Sequence, residues 1–413
     1  MRQLLITATL VWTTALLASN GTNLIGHGPI SNGMGGIGVA LPMHSESIIK
    51  NPAIMNVTRE FDLSFSATYL DTITKAQNSD VNNNFQEQTS STKATILPSV
   101  GFIHQVMDNV VLGLGLFETS RSSVDFRNST AEDGIFRVSS NMSVSVINGA
   151  INYSVGALKV GVGAQVGYGS LSTSMYDSIN FDPDTFRGAG EAHAQAYGFN
   201  AGAAFWIVQG LNVAVSYQSA LTFDYQPVLT NMADNFDIGP TSNNLITGDK
   251  MAKPAEIGFG FAFVKDLFTI SCDYKIVQWS AAAGYKELGW DDQNVIAVGL
   301  AANILNGSTI RVGYNNANNP QGETAVKNSW ADIDSKGTLN SINMLNFPAF
   351  AENHYTFGFS QIFSRTFALD LAAIISPEVT VISEGMTDDW GNQLPITTKQ
   401  SQTAYTIAGH WMF

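Results

Sequence analysis

Residues 158–170 read LKVGVGAQVGYGS, and apolar side chains alternate strictly with polar or small ones along this stretch. Leu158 and Val160 fall on one face of an extended strand, whereas Lys159 and Gly161 fall on the other. A two-residue period of this kind is that of a β-strand whose two faces meet different surroundings. The stretch therefore predicts a strand with one apolar face and one polar or small-residue face.

The same alternation recurs along most of the chain, and helical periodicity is nearly absent. We predict an all-β transmembrane antiparallel barrel of about fourteen strands, an even number that is typical of bacterial outer-membrane barrels. The predicted strands lie near residues 61–70, 93–106, 110–120, 141–155, 158–170, 191–207, 211–224, 251–263, 267–278, 293–304, 308–316, 351–363, 366–382 and 398–413.

The connections between these strands alternate between tight and long. Outer-membrane barrels have short periplasmic turns and longer extracellular loops, whereas a soluble sandwich has no reason to separate its loops by length. The long segments are rich in Asn, Asp, Ser and Gly, as exposed loops are. They lie near residues 71–92, 121–140, 171–190, 225–250, 279–292, 317–350 and 383–397, and the tight turns near 107–109, 156–157, 208–210, 264–266, 305–307 and 364–365.

The composition agrees with a lipid-facing protein. Of the 413 residues, 45% are hydrophobic and only 13% are charged, about half of the ~25% usual for soluble domains. Lipid in place of water on the outer face explains this deficit. The net charge of -14 argues against a nucleic-acid partner. The single cysteine, Cys272, excludes a disulfide framework and a cysteine-based metal site.

The first 18 residues read as a secretory signal peptide. Arg2 supplies a short positive start, and an apolar run from Leu4 to Ala18 follows it. That run is too short for a membrane anchor, because it does not span a hydrocarbon core of about 30 Å. We therefore expect export to the bacterial outer membrane and three parts: a signal peptide (1–18), an N-terminal hatch (19–60) and a barrel (61–413).

The last predicted strand ends the chain on an aromatic residue. Tyr405, Ile407, Trp411 and the terminal Phe413 occupy alternate positions. This pattern resembles the signal that the bacterial barrel-assembly machinery reads, so we expect that machinery as a partner. Outer-membrane lipid and lipopolysaccharide would surround the assembled barrel, which we expect to be a monomer.

The segment between the signal peptide and the first strand does not alternate. A barrel of this width needs either an aqueous channel or a plug, and a compact piece before the first strand is well placed to be the plug. Its glycines would allow tight turns and close packing against the wall. The residues that we assign to the hatch and its gating are Gly33, Gly35, Gly36, Gly38, Asn51, Pro52 and Ala53.

The glycine-rich stretch followed by Asn51-Pro52-Ala53 resembles the N-terminal hatch of the FadL/TodX family, outer-membrane transporters of long-chain fatty acids and aromatic hydrocarbons. Family-like phrases follow in order at residues 254–259, 273–275, 311–314 and 347–358. The resemblance covers nearly all of the chain after the signal peptide. It implies a plugged barrel of about fourteen strands, no cofactor, and passive, ligand-gated uptake of hydrophobic molecules.

Other functional classes fit less well. Residues 33–38 satisfy the dinucleotide pattern Gly-x-Gly-x-x-Gly but lack a preceding strand. No Gly-x-Ser-x-Gly occurs and the six histidines are scattered, which disfavours a hydrolase and shows no metal-ligand spacing. We therefore expect neither an enzyme nor a bound metal, although a cation at the acidic outer loops or at lipopolysaccharide stays open. A general porin or an adhesin is the alternative class.

The ligand site must be sought among few inward cations. Parity along the strands turns Lys159, Lys275 and Arg311 inward. We predict that Arg311, and second Lys275, binds a carboxylate headgroup, because a guanidinium is always charged and offers two parallel donors. The alternative is that both neutralise inward carboxylates. An apolar pocket for the ligand tail, or else plug packing, is predicted at Met34, Ile37, Val39, Ile54, Val111 and Phe117.

The resemblance also implies an exit through the barrel wall. In the family a kink in the third strand opens the wall sideways, and we assign this role to Gly113 and Gly115, with ordinary strand glycines as the alternative. A long-chain fatty acid is the expected ligand and an aromatic hydrocarbon the alternative. The predicted outer capture loops contribute Phe181, Phe223, Tyr225, Leu229 and Phe236.

Overall fold

The computed structural model describes residues 19–57, 59–78, 85–129, 135, 137–176, 186–235, 246–304, 307–321, 333–387 and 393–413. The predicted signal peptide, Phe181 and Phe236 lie outside the described residues.

Fourteen long antiparallel strands form a closed barrel, as the alternation predicts. The last strand pairs with the first from Met412↔Asp62 to Ile396↔Asn78, which closes the wall. The strands are β1 (Phe61–Asn78), β2 (Thr95–Met107), β3 (Val110–Asp125), β4 (Ser139–Val155), β5 (Leu158–Tyr176), β6 (Phe186–Val208), β7 (Leu211–Gln218), β8 (Glu256–Lys265), β9 (Phe268–Val277), β10 (Gln293–Ile304), β11 (Ser308–Ala317), β12 (Asn353–Ser364), β13 (Phe367–Thr387) and β14 (Gln393–Met412).

The apolar face of each strand points away from the barrel axis. On β1, Phe65 is 51% exposed and Tyr69 is 45% exposed, whereas Asp62 and Ser64 are buried in the lumen. This arrangement inverts that of a soluble protein, and it fits a wall that faces lipid outside and a polar interior. The low overall charge thus reflects the apolar side chains on the outward face of the strands.

The start of β1 and the last residue are hydrogen-bonded at the side of the short turns. The backbone N–H of Phe61 donates to the carbonyl of Phe413 over 3.1 Å, and the N–H of Phe413 donates back over 3.0 Å. Trp411 packs on the rings of Phe65 and Phe367. Phe413 and Tyr405 stay on the exposed outer surface.

The helices are short. They are α1 (Gly28–Gly33), α2 (Ser47–Lys50), α3 (Val228–Asn235) and α4 (Ile333–Leu345), with 3-10 turns at His44–Glu46, Pro52–Ile54 and Trp279–Ala281. Among the described residues, no helix combines the length and the hydrophobicity that crossing a membrane requires. Residues 19–57, which we call the hatch, lie inside the barrel and are almost entirely buried.

Polar side chains of the wall hydrogen-bond the backbone of the hatch. The amide of Asn200 on β6 donates to the carbonyl of Ile48 over 2.7 Å, and the amide of Asn212 on β7 donates to the carbonyl of Ala40 over 2.6 Å. A buried segment with little secondary structure needs such partners for its backbone groups. Similar contacts come from Asn152 to Ala53, from Asn315 to Gly35, and from the N–H groups of Gly38 and Val39 to Asp273.

Wall glycines let the hatch backbone approach the barrel backbone directly. A Cβ placed on Gly313 of β11 would lie 2.3 Å from the Gly35 nitrogen and 2.3 Å from the Met34 carbonyl carbon. On the hatch side, Gly35 and Gly36 have φ values of +76° and +79°, which only glycine adopts readily. Comparable approaches occur at Gly161, Gly260, Gly299 and Gly358. The predicted packing role of the hatch glycines is thus visible in the contacts.

Two predicted strands, 211–224 and 251–263, are not continuous. β7 ends at Gln218 and β8 begins only at Glu256. Between them, Leu221–Asp224 pairs with Lys250–Lys253 as a separate two-stranded element, which we call the inner ribbon. Pro254 has no N–H to donate to a ladder, which explains the break before β8. Phe223 of the ribbon lies against Gly167 on the lumen side of β5.

We predict that Gly313→Ala loosens the hatch, because the added methyl group meets backbone atoms that cannot rotate away; such overpacking costs about 1–3 kcal/mol. Single-channel conductance in planar bilayers should rise relative to the wild type. The control is Gly149→Ala, whose new Cβ would meet only a Leu114 methyl group at 3.9 Å. Equal conductance of the two variants would contradict the packing argument.

Candidate functional site

The wall is interrupted between β2 and β3. Their ladder begins at Met107↔Val110 and stops at Ser99↔Phe117, although both strands continue. A bulge at Thr119 on β3 accompanies the break, since Glu118 pairs with Ser145 and Ser120 with the next residue of β4. We call the unpaired stretch between residues 95–98 and 118–121 the wall gap.

Gly113 and Gly115, the residues predicted for the opening, do not lie at this gap. Gly113 pairs with Ile103 of β2 and Ala150 of β4, and Gly115 is paired on both sides as well. A Cβ on Gly113 would lie 2.7 Å from the Met55 sulfur of the hatch. Gly113 therefore leaves room for the hatch side chains that pack against it. The ladder between β2 and β3 ends near the bulge at Thr119, which changes the direction of β3.

A small hairpin at the start of the hatch covers the wall gap from inside. Ser19–Asn20 pairs with Asn23–Leu24, and we call residues 19–24 the N-terminal hairpin. The Ser120 hydroxyl donates to the Asn23 side chain over 2.7 Å, and the Arg121 N–H donates to the Thr22 carbonyl over 2.9 Å. The hairpin thus provides a hydrogen-bond partner for backbone of β3 that is not paired with β2.

The N-terminal hairpin separates two cavities. The gap cavity, about 30 Å³, lies between the hairpin and the wall and is lined by Gly21, Leu24, Lys93, Thr95, Arg121 and Gln402, among others. The inner cavity, about 10 Å³, lies on the other side and is lined by Thr22, Met142, Phe223, Tyr225, Lys253 and Tyr285, among others. A displacement of residues 19–24 would join the two spaces.

Aromatic side chains hold the hairpin in place. The Tyr285 hydroxyl lies 2.9 Å from the Thr22 hydroxyl. Burial raises the pKa of Tyr285 far above its usual value, so the phenol keeps its proton and remains able to donate. Tyr285 packs with Trp279 and Trp290, and a Cβ on Gly21 would lie 2.5 Å from the Trp279 ring. This aromatic cluster therefore fixes the turn of the hairpin.

A cation adjoins each cavity. Lys253 of the inner ribbon lines the inner cavity, and its ammonium group lies 3.5 Å from the Gln218 side-chain oxygen. This ammonium group forms no ion pair within 4.0 Å among the described residues, and the Glu256 carboxylate acts on it only electrostatically. Burial lowers its pKa, a cost that an anionic ligand would offset. Arg121 lines the gap cavity with a buried Nε that lacks a partner.

The two predicted headgroup residues lie elsewhere. Arg311 donates to Ser360, and its nearest carboxylate, Asp370, is 3.8 Å away. Lys275 is 2% exposed and, together with burial itself, lowers the pKa of Lys50 in the hatch to about 7. Neither residue lines either cavity. Their surroundings match the alternative interpretation, in which inward cations balance inward carboxylates.

Sequence reasoning missed Lys253 and Arg121 for two reasons. Lys253 precedes Pro254, and this proline was the one available sign that the predicted strand 251–263 breaks there. Arg121 was assigned to the long loop 121–140, whereas β3 continues past the bulge at Thr119 to Asp125. A bulge shifts which residues face inward beyond it.

The predicted apolar pocket is mostly hatch packing. Met34, Ile37, Val39 and Ile54 form one buried cluster with alanines of the wall. Val111 and Phe117 belong to a second cluster around Ile48 and Met55. None of these six predicted residues lines the gap cavity or the inner cavity. Their side chains are occupied in holding the hatch to the wall.

Two residues predicted for the outer capture loops belong to the interior. Phe223 and Tyr225 line the inner cavity, because the inner ribbon folds into the barrel. Leu229 is 3% exposed and lies in α3, in the same buried cluster. The apolar side chains of this predicted loop thus pack inside the barrel.

The family model described as outer membrane protein transport protein (OMPP1/FadL/TodX) matches residues 28–326. The chain belongs to this family. It is therefore an outer-membrane transport barrel for hydrophobic compounds, and the resemblance of the hatch motifs is confirmed. No curated protein matches the chain.

Solved structures show the same fold at low sequence identity. The P. putida toluene transporter TodX has a TM-score of 0.67 and 17% identity, covering 94% of this chain and 99% of its own. A Pseudomonas aeruginosa FadL homologue has a TM-score of 0.66 and 14% identity, covering 97% and 100%. The Ralstonia pickettii toluene transporter TbuX has a TM-score of 0.59 and 16% identity, covering 94% and 98%.

We predict that Tyr285→Phe weakens the attachment of the N-terminal hairpin. One buried hydrogen bond of about 0.5–1.5 kcal/mol is lost, while the aromatic packing stays. The open population should rise about 2–12-fold, measured as ion conductance or as dye uptake into liposomes. Tyr274→Phe is the control, since its hydroxyl bonds Asn294 on the outer face. A rise in both variants alike would refute a specific role of Tyr285.

Proposed function

We propose that this protein mediates passive, ligand-gated uptake of amphipathic hydrophobic molecules, with long-chain fatty acids as the substrate class. The observation that carries the proposal is Lys253, a half-buried cation at the edge of an apolar aromatic cavity that forms no ion pair within 4.0 Å among the described residues. A carboxylate headgroup would pair with this cation, and an acyl chain would contact Met142, Val144 and Phe223.

The proposed path runs from the inner cavity to the gap cavity. The N-terminal hairpin is the partition between them, held by Thr22 to Tyr285 and by Asn23 to Ser120. A ligand that displaces the hairpin joins the cavities and meets Arg121, a second half-buried cation, at the wall gap. Net flux would follow the concentration gradient, since only binding free energy drives the displacement.

The wall gap would serve as a lateral exit. Unpaired strand edges in a barrel wall are costly in lipid, and this gap is closed from inside by the hairpin and not by neighbouring strands. Once the hairpin moves, the ligand tail would leave sideways into the outer membrane. Release into lipid avoids exposing the tail to the aqueous periplasm.

Aromatic hydrocarbons are the second candidate. The inner cavity is lined by Phe223, Tyr225 and Tyr285, and apolar aromatic walls suit an uncharged ring. TodX and TbuX, which share the fold, are toluene transporters. A general porin or adhesin is less well supported, because the buried hatch fills the lumen of the described structure.

We also propose how the protein is exported and assembled in the outer membrane. Residues 1–18 would direct export, and the aromatic C-terminal strand would be recognised by the barrel-assembly machinery. The mature protein would act as a monomer among outer-membrane lipid and lipopolysaccharide. Neither catalysis nor a cofactor enters the proposed uptake.

We predict that Lys253→Met weakens fatty-acid binding about tenfold or more, since a hydrogen bond to a charged group contributes roughly 1.5–3 kcal/mol. Binding of toluene should change less than about twofold, because methionine keeps the apolar stem. Isothermal titration in detergent measures both ligands. Lys265→Met, at the exposed end of β8, is the control. Equal losses for the two ligands would refute a headgroup role for Lys253.

We predict that deleting Thr119 reduces uptake while binding is preserved. The deletion removes the extra residue of the bulge, so that β3 can continue in register with β4. Accumulation of labelled fatty acid in cells measures uptake, and titration of the purified protein measures binding. Thr119→Ala, which keeps the bulge, should retain uptake. Unchanged uptake after the deletion would count against the lateral exit.

A further inference from the structure

A compact group of metal-binding side chains lies where the hatch meets the barrel seam. His44 comes from the 3-10 turn of the hatch, Asp62 from the start of β1 and His410 from the end of β14. One ligand atom from each residue lies within 4.8 Å of the other two. These residues lie on the side of the short turns, opposite the two cavities, and the proposed uptake path does not use them.

The three side chains come from distant parts of the sequence, and the fold brings them together. Asp62 and His410 belong to neighbouring strands, since Asp62 pairs with Met412 and Ser64 pairs with His410. The His44 ring lies over the His410 ring with centroids 4.2 Å apart, and its Nδ1 contacts Asp62. A hatch residue thus bridges the first and last strands of the barrel.

Two polar atoms of this group have no hydrogen-bond partner in the described structure. They are Oδ1 of Asp62 and Nδ1 of His410, and both residues are 0% exposed. Leaving such atoms unsatisfied costs about 1–3 kcal/mol each. A bound cation would satisfy the carboxylate oxygen and one imidazole nitrogen together.

The surroundings of His410 are those of a metal-ligating histidine. Asp370 Oδ2 lies 2.8 Å from Nε2 of His410, and Asp370 is itself fixed by Ser360 and Arg311. A carboxylate behind one ring nitrogen orients the imidazole and makes the other nitrogen a better ligand. The Nδ1 atom, which has no partner, is then available for the cation.

The donor set selects the kind of metal. Two imidazoles and one carboxylate suit Zn²⁺ and similar first-row ions, whereas Mg²⁺ and Ca²⁺ prefer oxygen ligands alone. Ligand atoms at the usual zinc distances of about 2.0–2.2 Å lie roughly 3.3 Å apart around a tetrahedral ion. The observed separations of up to 4.8 Å require only small side-chain rotations to reach this value.

We propose that His44, Asp62 and His410 form a binding site for Zn²⁺ or a similar divalent transition-metal ion that fastens the hatch to the seam between β1 and β14. The ion replaces the direct contact between His44 and Asp62 and brings His410 into the same link. Occupancy therefore opposes displacement of the hatch from the periplasmic end of the barrel.

The test is metal binding to the full-length mature protein in detergent. After treatment with a chelator, the wild type should bind about one Zn²⁺ per chain in equilibrium dialysis followed by elemental analysis, and Mg²⁺ should not compete. His44→Gln and His410→Gln should each lower the Zn²⁺ affinity at least tenfold. His193→Gln, at an exposed position on β6, should bind as the wild type does.

Heat-modifiable gel migration reports folding in the same samples. Zn²⁺ should raise the unfolding temperature of the wild type and of His193→Gln but not that of His44→Gln. If His410→Gln does not fold, His44→Gln decides alone, because His44 lies outside the barrel wall. Absence of stoichiometric binding, or equal binding by His44→Gln and His193→Gln, would overturn the proposal. Fatty-acid binding is measured separately, so its failure would leave this result unaffected.

Discussion

The structure depends on the hydrogen bonds between the wall side chains and the hatch backbone. The hatch has too few helical turns to satisfy its own N–H and C=O groups, and a buried backbone group without a partner is costly. Asn152, Asn200, Asn212 and Asn315 supply these partners from different strands. The positions of these wall side chains therefore determine the conformation of the hatch.

Close approach makes these hydrogen bonds possible. Side chains such as those of asparagine are short, so the hatch backbone must lie almost on the wall. Glycines at facing positions, Gly313 against Gly35 for example, remove the Cβ atoms that would keep the two backbones apart. Where the wall ladder ends, this tight fit leaves free space, and the two cavities and the N-terminal hairpin are found there.

Much of the architecture was predictable from the sequence, and much of the site was not. Strand periodicity and loop lengths predict the fourteen-strand barrel, and glycine spacing with Asn51-Pro52-Ala53 predicts the hatch and the family. The headgroup residues were assigned by parity to Arg311 and Lys275, which lie in charge networks beside the hatch. Lys253 and Arg121 adjoin the cavities because a break before Pro254 and a bulge at Thr119 interrupt that parity.

The sequence by itself determined which face of each strand meets lipid, because a two-residue period is a local property of an extended chain. It also determined that the lumen holds few cations. Only the tertiary structure decided which carboxylates lie near those cations, where the ladder between β2 and β3 ends, and that His44, Asp62 and His410 meet. These features depend on contacts between residues tens to hundreds of positions apart, and closure of the barrel, not local pattern, sets those distances.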